Sequence, residues 1–137
     1  MTPSLVRDLM SREVKTLERN DSLSIADRVM QLERIRHMPV LDEDGLVVGV
    51  VSQRDLFRGA LANALGYGKH AQEKILDTLL VKDVISSDLV TTRPDAPLAE
   101  AARVMVERKV GCLPVLDGDK LVGILTEGDF VALAAKG

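Results

Sequence analysis

Two stretches of the chain carry apolar residues at helical spacing. In "SLSIADRVMQLERI" the positions Ile25, Ala26, Val29 and Met30 recur at the interval that lines one face of a helix. "PLAEAARVMVERKV" repeats the pattern, and Pro97 suits the first turn of a helix, where its missing N–H is not needed. Each stretch is followed by two β-branched runs, "MPVL" and "LVVGVV" or "LPVL" and "LVGIL", separated by Asp and Gly, which predicts a hairpin. Beyond Asp55 and Asp129 the pattern turns helical again, in "LFRGALANAL" and "FVALAA". A short segment holding Thr16 or Thr91 precedes each amphipathic stretch, so the order β-α-β-β-α is read twice.

The two copies align without a gap from Val6 to Asp42 and from Val81 to Asp117. Pro39 and Pro114 lie 75 positions apart, and the same offset pairs Asp8 with Asp83 and Met30 with Met105. After "PVLD" the offset falls to 74, as between Gly49 and Gly123, because "EDGLVV" is one residue longer than "GDKLV". A one-residue change in a turn is what surface loops tolerate. The chain therefore divides into repeat 1 at 1–62, a connector at 63–80 and repeat 2 at 81–137. The connector has a glycine break at Gly66 and Gly68 and then a short helix. Either repeat alone is marginal in size, so the expected fold class is α+β, with two repeats packed through their sheets in pseudo-twofold symmetry.

Composition adds that the core is aliphatic: aromatic residues make up only 2% and Trp is absent. A net charge of −3 gives no field that draws the chain to a polyanion, which argues against nucleic acid. Cys112 is the single cysteine, so no intrachain disulfide and no Cys-rich metal site is expected, which suits a reducing cytoplasm. No apolar run has the length of a signal peptide or membrane span.

The chemistry concentrates in "GVVSQRD", Gly49 to Asp55, and "GILTEGD", Gly123 to Asp129. A glycine lets another backbone or a flat ligand approach the strand. Ser52 and Thr126 stand at a helix entry, where hydroxyl and free N–H groups can meet phosphate. Asp55 and Asp129, one turn on, can accept from both hydroxyls of a ribose. The same spacing is also that of a capping box, in which hydroxyl and acid satisfy helix N–H groups, and both roles can coexist.

The paired pattern, "HMPVLDEDGLVVGVVSQRDL" and "CLPVLDGDKLVGILTEGDF" with the leading "VRDLM" and "VKDVI", resembles the cystathionine β-synthase (CBS) domain family, and two such repeats resemble a Bateman module. The resemblance implies adenosine nucleotides bound in clefts between the repeats. It implies that Asp55 and Asp129 hold ribose and that Ser52 and Thr126 lie near phosphate. Val14 and Thr16, Leu89 and Thr91 would line base or phosphate. His37, Met38 and Pro39, with Cys112, Leu113 and Pro114, would contact the base. The regulatory ligand would be AMP, ADP, ATP, NAD or S-adenosylmethionine, with no cofactor required.

The motifs differ at Arg54 against Gly128 and Gln53 against Glu127. A guanidinium adds a phosphate contact and an acid repels one, so the Ser52/Asp55 site is expected to favour phosphorylated ligands more than the Thr126/Asp129 site. His37 precedes "MPV" and His70 lies in the connector, each far along the chain from any Cys or second His, so no metal site is expected. Cys112 reads as a small buried apolar residue, and "RIRH", Arg34 to His37, as a solvated helix end. No nucleophile and base pair or Walker-type loop supports an enzyme. The expectation is a sensing module that forms a homodimer and signals to another protein in trans, the alternative being a structural module with empty clefts.

Overall fold

The computed structural model describes residues 2–64, 77–85 and 89–136. Gly66, Gly68 and His70, and most of the helix expected after them, lie outside the described residues. The chain forms two compact units, each mixing helices and strands: one is Lys15–Leu89, the other Met1–Val14 with Val90–Gly137.

In the unit Lys15–Leu89, strand β1 (Leu17–Glu18) runs parallel to β2 (His37–Leu41), which pairs antiparallel with β3 (Val47–Ser52). Helix α2 (Leu23–Glu33) starts where the Ser22 hydroxyl accepts the Ile25 N–H at 3.3 Å, and ends at Arg34 in the left-handed conformation. Its apolar stripe of Leu23, Ala26 and Met30 is buried with Leu17, Met38, Val40, Val51 and Leu56, the last from α3 (Gln53–Ala64). The core is aliphatic, as the composition requires.

The other unit repeats this plan. Strands β4 (Cys112–Asp117) and β5 (Lys120–Thr126) form an antiparallel hairpin, followed by α5 (Glu127–Ala135). Thr92 bridges Val115 in parallel, where Leu17 pairs with Val40 in the first copy, so the opening strand is here reduced to one residue. Helix α4 (Leu98–Arg108) buries Leu98, Ala101 and Met105. Pro97 does not enter the first turn as expected: with φ −60° and ψ 135° it is extended and forms the N-cap, and Leu98 supplies the first helical N–H, which donates to Ser4 O at 2.8 Å. The hairpin turns differ by one residue where the offset changes. Each has a glycine at positive φ, Gly45 at 80° and Gly118 at 63°, and only the longer is braced by Asp42 Oδ1, which accepts from Asp44 N and Leu46 N.

The leading segments are exchanged between repeats. Residues around the short helix α1 (Val6–Leu9) dock on the second repeat through Val6 N to Ala96 O and Arg7 N to Pro94 O, each 3.0 Å. Residues around a 3₁₀ turn (Val81–Asp83) dock on the first through Val81 N to Asp21 O and Lys82 N to Arg19 O, at 2.8 and 3.0 Å. The two sets match at the repeat offset. Val6 and Val81, both fully buried, each complete a core to which the other repeat supplies the sheet. Sequence repeat and compact unit are thus different partitions of the chain.

Candidate functional site

Each motif stands where the last strand of a hairpin becomes a helix. Ser52 ends β3 opposite His37, the first residue of β2, and Thr126 ends β5 opposite Cys112, the first residue of β4. The structure thereby brings together His37, Ser52 and Asp55 in one copy and Cys112, Thr126 and Asp129 in the other.

The carboxylate half of the capping box is formed in both, and the hydroxyl half is formed at Ser52. Ser52 N donates to Asp55 Oδ2 at 2.9 Å while Asp55 N donates to Ser52 Oγ at 3.1 Å. Thr126 N donates to Asp129 Oδ2 at 2.8 Å, and the Thr126 hydroxyl donates to the same oxygen over a long 3.3 Å. The first helical N–H of each is also taken, Gln53 N by Arg36 O at 2.8 Å and Glu127 N by Gly111 O at 3.0 Å. The four N–H groups that a helix start leaves unsatisfied are therefore not all available to an anion. What stays open at each motif, among the described residues, is the N–H of Arg54 or Gly128 and the Oδ1 of Asp55 or Asp129, none of which makes a hydrogen bond. A carboxylate held by one oxygen keeps acceptor lone pairs on the other, and it is presented in a fixed direction. Such a group can accept from a hydroxyl or vicinal diol without giving up its cap.

The side chains differ around that shared frame. Arg54 is exposed on the first turn of α3 and its guanidinium has no partner among the described residues. Gly128 occupies the same place on α5, where an added Cβ would meet only Thr126 Oγ1 at 3.6 Å, an ordinary contact. Glu127 is exposed beside it.

Other sequence-predicted positions are placed differently. Met38, Pro39, Leu113 and Pro114 are fully buried, so their side chains face core rather than surface, and Cys112 is buried as well. Continuous apolar runs such as "HMPVL" do not reveal by alternation which face is closed. Val14 and Thr91 belong to the unit of the second motif, Thr16 and Leu89 to that of the first. Thr16, Leu89 and Thr91 are exposed and Val14 half-buried.

The close approach expected at the motif glycine is seen at Gly123, and it is made by the chain itself. Ser11 and Ile124 exchange two backbone hydrogen bonds of 2.9 Å, and a Cβ on Gly123 would lie 2.6 Å from Met10 Sδ and 2.9 Å from Ser11 O. Met10 and Ser11 were not singled out by residue chemistry, since backbone pairing leaves no side-chain signature. Their neighbour Asp8 accepts from Ser4 N at 3.2 Å and Leu5 N at 3.0 Å. The Leu5 bond first, then that from Ser4, holds its carboxyl below the ordinary aspartate value.

Among the described residues no cluster of three His, Cys, Asp or Glu side chains is placed to hold a metal ion, and no helix is long and apolar enough to cross a membrane. Comparison with known proteins agrees with the duplicated plan. The chain is 34% identical over 133 residues, 96% of its length, to a homoserine O-acetyltransferase of Methanohalophilus mahii. It spans only about a quarter of the length of the archaeal acetyltransferases it matches. Among solved structures it resembles the CBS domain pair of protein MJ0100 in complex with 5′-methylthioadenosine and S-adenosyl-L-methionine. The TM-score is 0.81 at 26% identity, covering 98% of both chains. It also resembles CBSX2 in complex with AMP, with a TM-score of 0.77 at 29% identity and the same coverage. The family model for the CBS domain matches residues 6–62 and again 81–136, the two β-α-β-β-α copies traced above, and the chain belongs to the CBS domain family.

Proposed function

We propose that this CBS pair is a regulatory module that binds an adenosyl compound, of the class AMP, ADP, ATP, NAD or S-adenosylmethionine, and reports its occupancy by a change of conformation or assembly. The observation that carries the reading is the twice-built strand-to-helix junction that fixes an aspartate by one oxygen and leaves the other open. Asp55 and Asp129 are the proposed ribose acceptors. Ser52 and Thr126, with the N–H groups of Arg54 and Gly128, face the 5′ substituent. His37, Met38 and Pro39, Cys112, Leu113 and Pro114 approach the base, the buried members through backbone atoms, with Val14, Thr16, Leu89 and Thr91 completing the lining. Similar pairs of the family hold AMP, 5′-methylthioadenosine and S-adenosylmethionine, which supports the ligand class.

A ligand shifts a conformational equilibrium only by its differential affinity for the two states. The caps provide such a difference, because a carboxylate oriented by its cap accepts a diol better than one released from it. For the domain division we keep 1–62, 63–80 and 81–137. We further propose a cytoplasmic homodimer that acts on a separate regulated protein without chemistry of its own. Phe57 on α3 and Val131 on α5, equivalent exposed apolar positions, are the proposed contact faces. The capping bonds that both aspartates make favour one second reading, a structural module whose motifs serve only as caps.

Native mass spectrometry of the purified protein, alone and with AMP, ATP or S-adenosylmethionine, separates the two. The sensing reading predicts a dimer carrying a non-covalent adenosyl adduct. A protein that takes up none of the three would leave the structural reading in place.

A further inference from the structure

The two junctions share a frame and differ in the charge they set beside the 5′ substituent. Resting on the proposed adenosyl site, we infer that residues 52–55 take an adenosine 5′-phosphate, whereas residues 126–129 take an adenosyl compound whose 5′ group is neutral or cationic, a thioether or a sulfonium. Three observations carry this. First, Arg54 is an exposed cation next to Asp55 with no partner among the described residues, so Gln53 to Asp55 sum to zero charge. Glu127 to Asp129 carry two negative charges and no cation, Gly128 standing where Arg54 does.

Second, the hydroxyls are used differently. Ser52 Oγ accepts from Asp55 N, which leaves its proton for a phosphate oxygen, while the Thr126 hydroxyl spends its proton on Asp129 Oδ2. A phosphate at 126–129 would therefore meet two carboxylates and no free hydroxyl proton. Third, nothing steric explains Gly128: its backbone φ is unexceptional and a Cβ there has room. The missing side chain changes the charge and leaves the fold as it is. A sulfonium or ammonium group near Glu127 and Asp129 gains from the same charges that repel phosphate.

The test is calorimetry on the full chain with AMP, 5′-methylthioadenosine and S-adenosylmethionine, comparing wild type with the exchange variants Q53E/R54G and E127Q/G128R. The exchanged positions are exposed, so both variants keep the fold. Q53E/R54G is expected to lose AMP affinity about five- to tenfold, the scale of one partly exposed charge-assisted contact, with 5′-methylthioadenosine unchanged. E127Q/G128R is expected to gain AMP affinity and lose S-adenosylmethionine affinity by similar factors. If wild type binds adenosyl ligands but both exchanges leave the AMP to S-adenosylmethionine ratio within about twofold, the charge sorting is wrong and the sensing function stands. If wild type binds none of the three, both are wrong.

Discussion

Gly123 is the position where one methyl group tests how the N-terminal segment is held. Alanine there places Cβ 2.6 Å from Met10 Sδ, 3.0 Å from Met10 Cγ and 2.9 Å from Ser11 O. The methionine side chain can swing aside, but Ser11 O belongs to the backbone and accepts from Ile124 N at 2.9 Å. Relief therefore means moving the segment off β5. Overpacking of this kind costs about 1–3 kcal/mol. For a chain of 137 residues the melting entropy scales to a shift of about 3–4 °C per kcal/mol, so Gly123→Ala is expected to melt roughly 4–10 °C below wild type.

Amide exchange at Ser11 and Ile124, which share the two bonds at risk, should speed up in the same variant. In a Met10→Ala background two of the three short contacts are gone, and the added cost of Gly123→Ala should shrink without vanishing. Gly118→Ala is the control. It also destabilises, by about 1–2 kcal/mol, because φ there is +63°, yet it has open space and should leave exchange at Ser11 alone. A Gly123→Ala protein with wild-type melting and exchange would refute the docking of residues 10 and 11 on β5.

Two further outcomes test the Asp8 carboxyl and the buried methionines. The depressed Asp8 carboxyl contributes stability that is complete above the ordinary aspartate value and fades as pH falls through the lowered one. Urea midpoints measured from about pH 6 to about pH 2 should thus drop more steeply for wild type than for Asp8→Asn, and identical acid limbs would contradict the backbone bonds to Asp8. Met30 and Met105, buried at positions 75 apart, should each cost about 2–5 kcal/mol as alanine, while exposed Val106→Ala stays within roughly 0.5 kcal/mol; equal effects of all three by urea unfolding would contradict the helix faces.

How far the sequence discloses this structure depends on where the information resides. The stripes of α2 and α4 are legible because one face of each is buried, and spacing reports burial. The hairpins are legible from β-branched runs around a turn, and even the loop length difference was readable from the change of offset between Pro39 and Gly49. The exchange of leading segments was not. Val6 and Val81 are placed by backbone bonds to Ala96 and Asp21, and a helix of four residues is too short to show a period.

The candidate site divides in the same way. Ser52 with Asp55 and Thr126 with Asp129 were found by their spacing, because a cap needs its partners one turn apart. That spacing could not say whether hydroxyl or carboxylate remains open, and the answer differs between Ser52 and Thr126. The side chains of Met38 and Leu113 turn inward in strands apolar on both faces, where alternation carries no signal.

The most direct measurement of the central claim is the rise in melting temperature caused by AMP and S-adenosylmethionine, taken on wild type and on Asp55→Ala/Asp129→Ala. A ligand that binds only the folded protein stabilises it by about 2.7 kcal/mol at a hundredfold excess over Kd. The double variant starts lower, by about 1 kcal/mol per lost cap, so the quantity compared is the ligand-induced rise and not the baseline. The account predicts a clear rise for wild type and none for the double variant; equal rises in both proteins would contradict it.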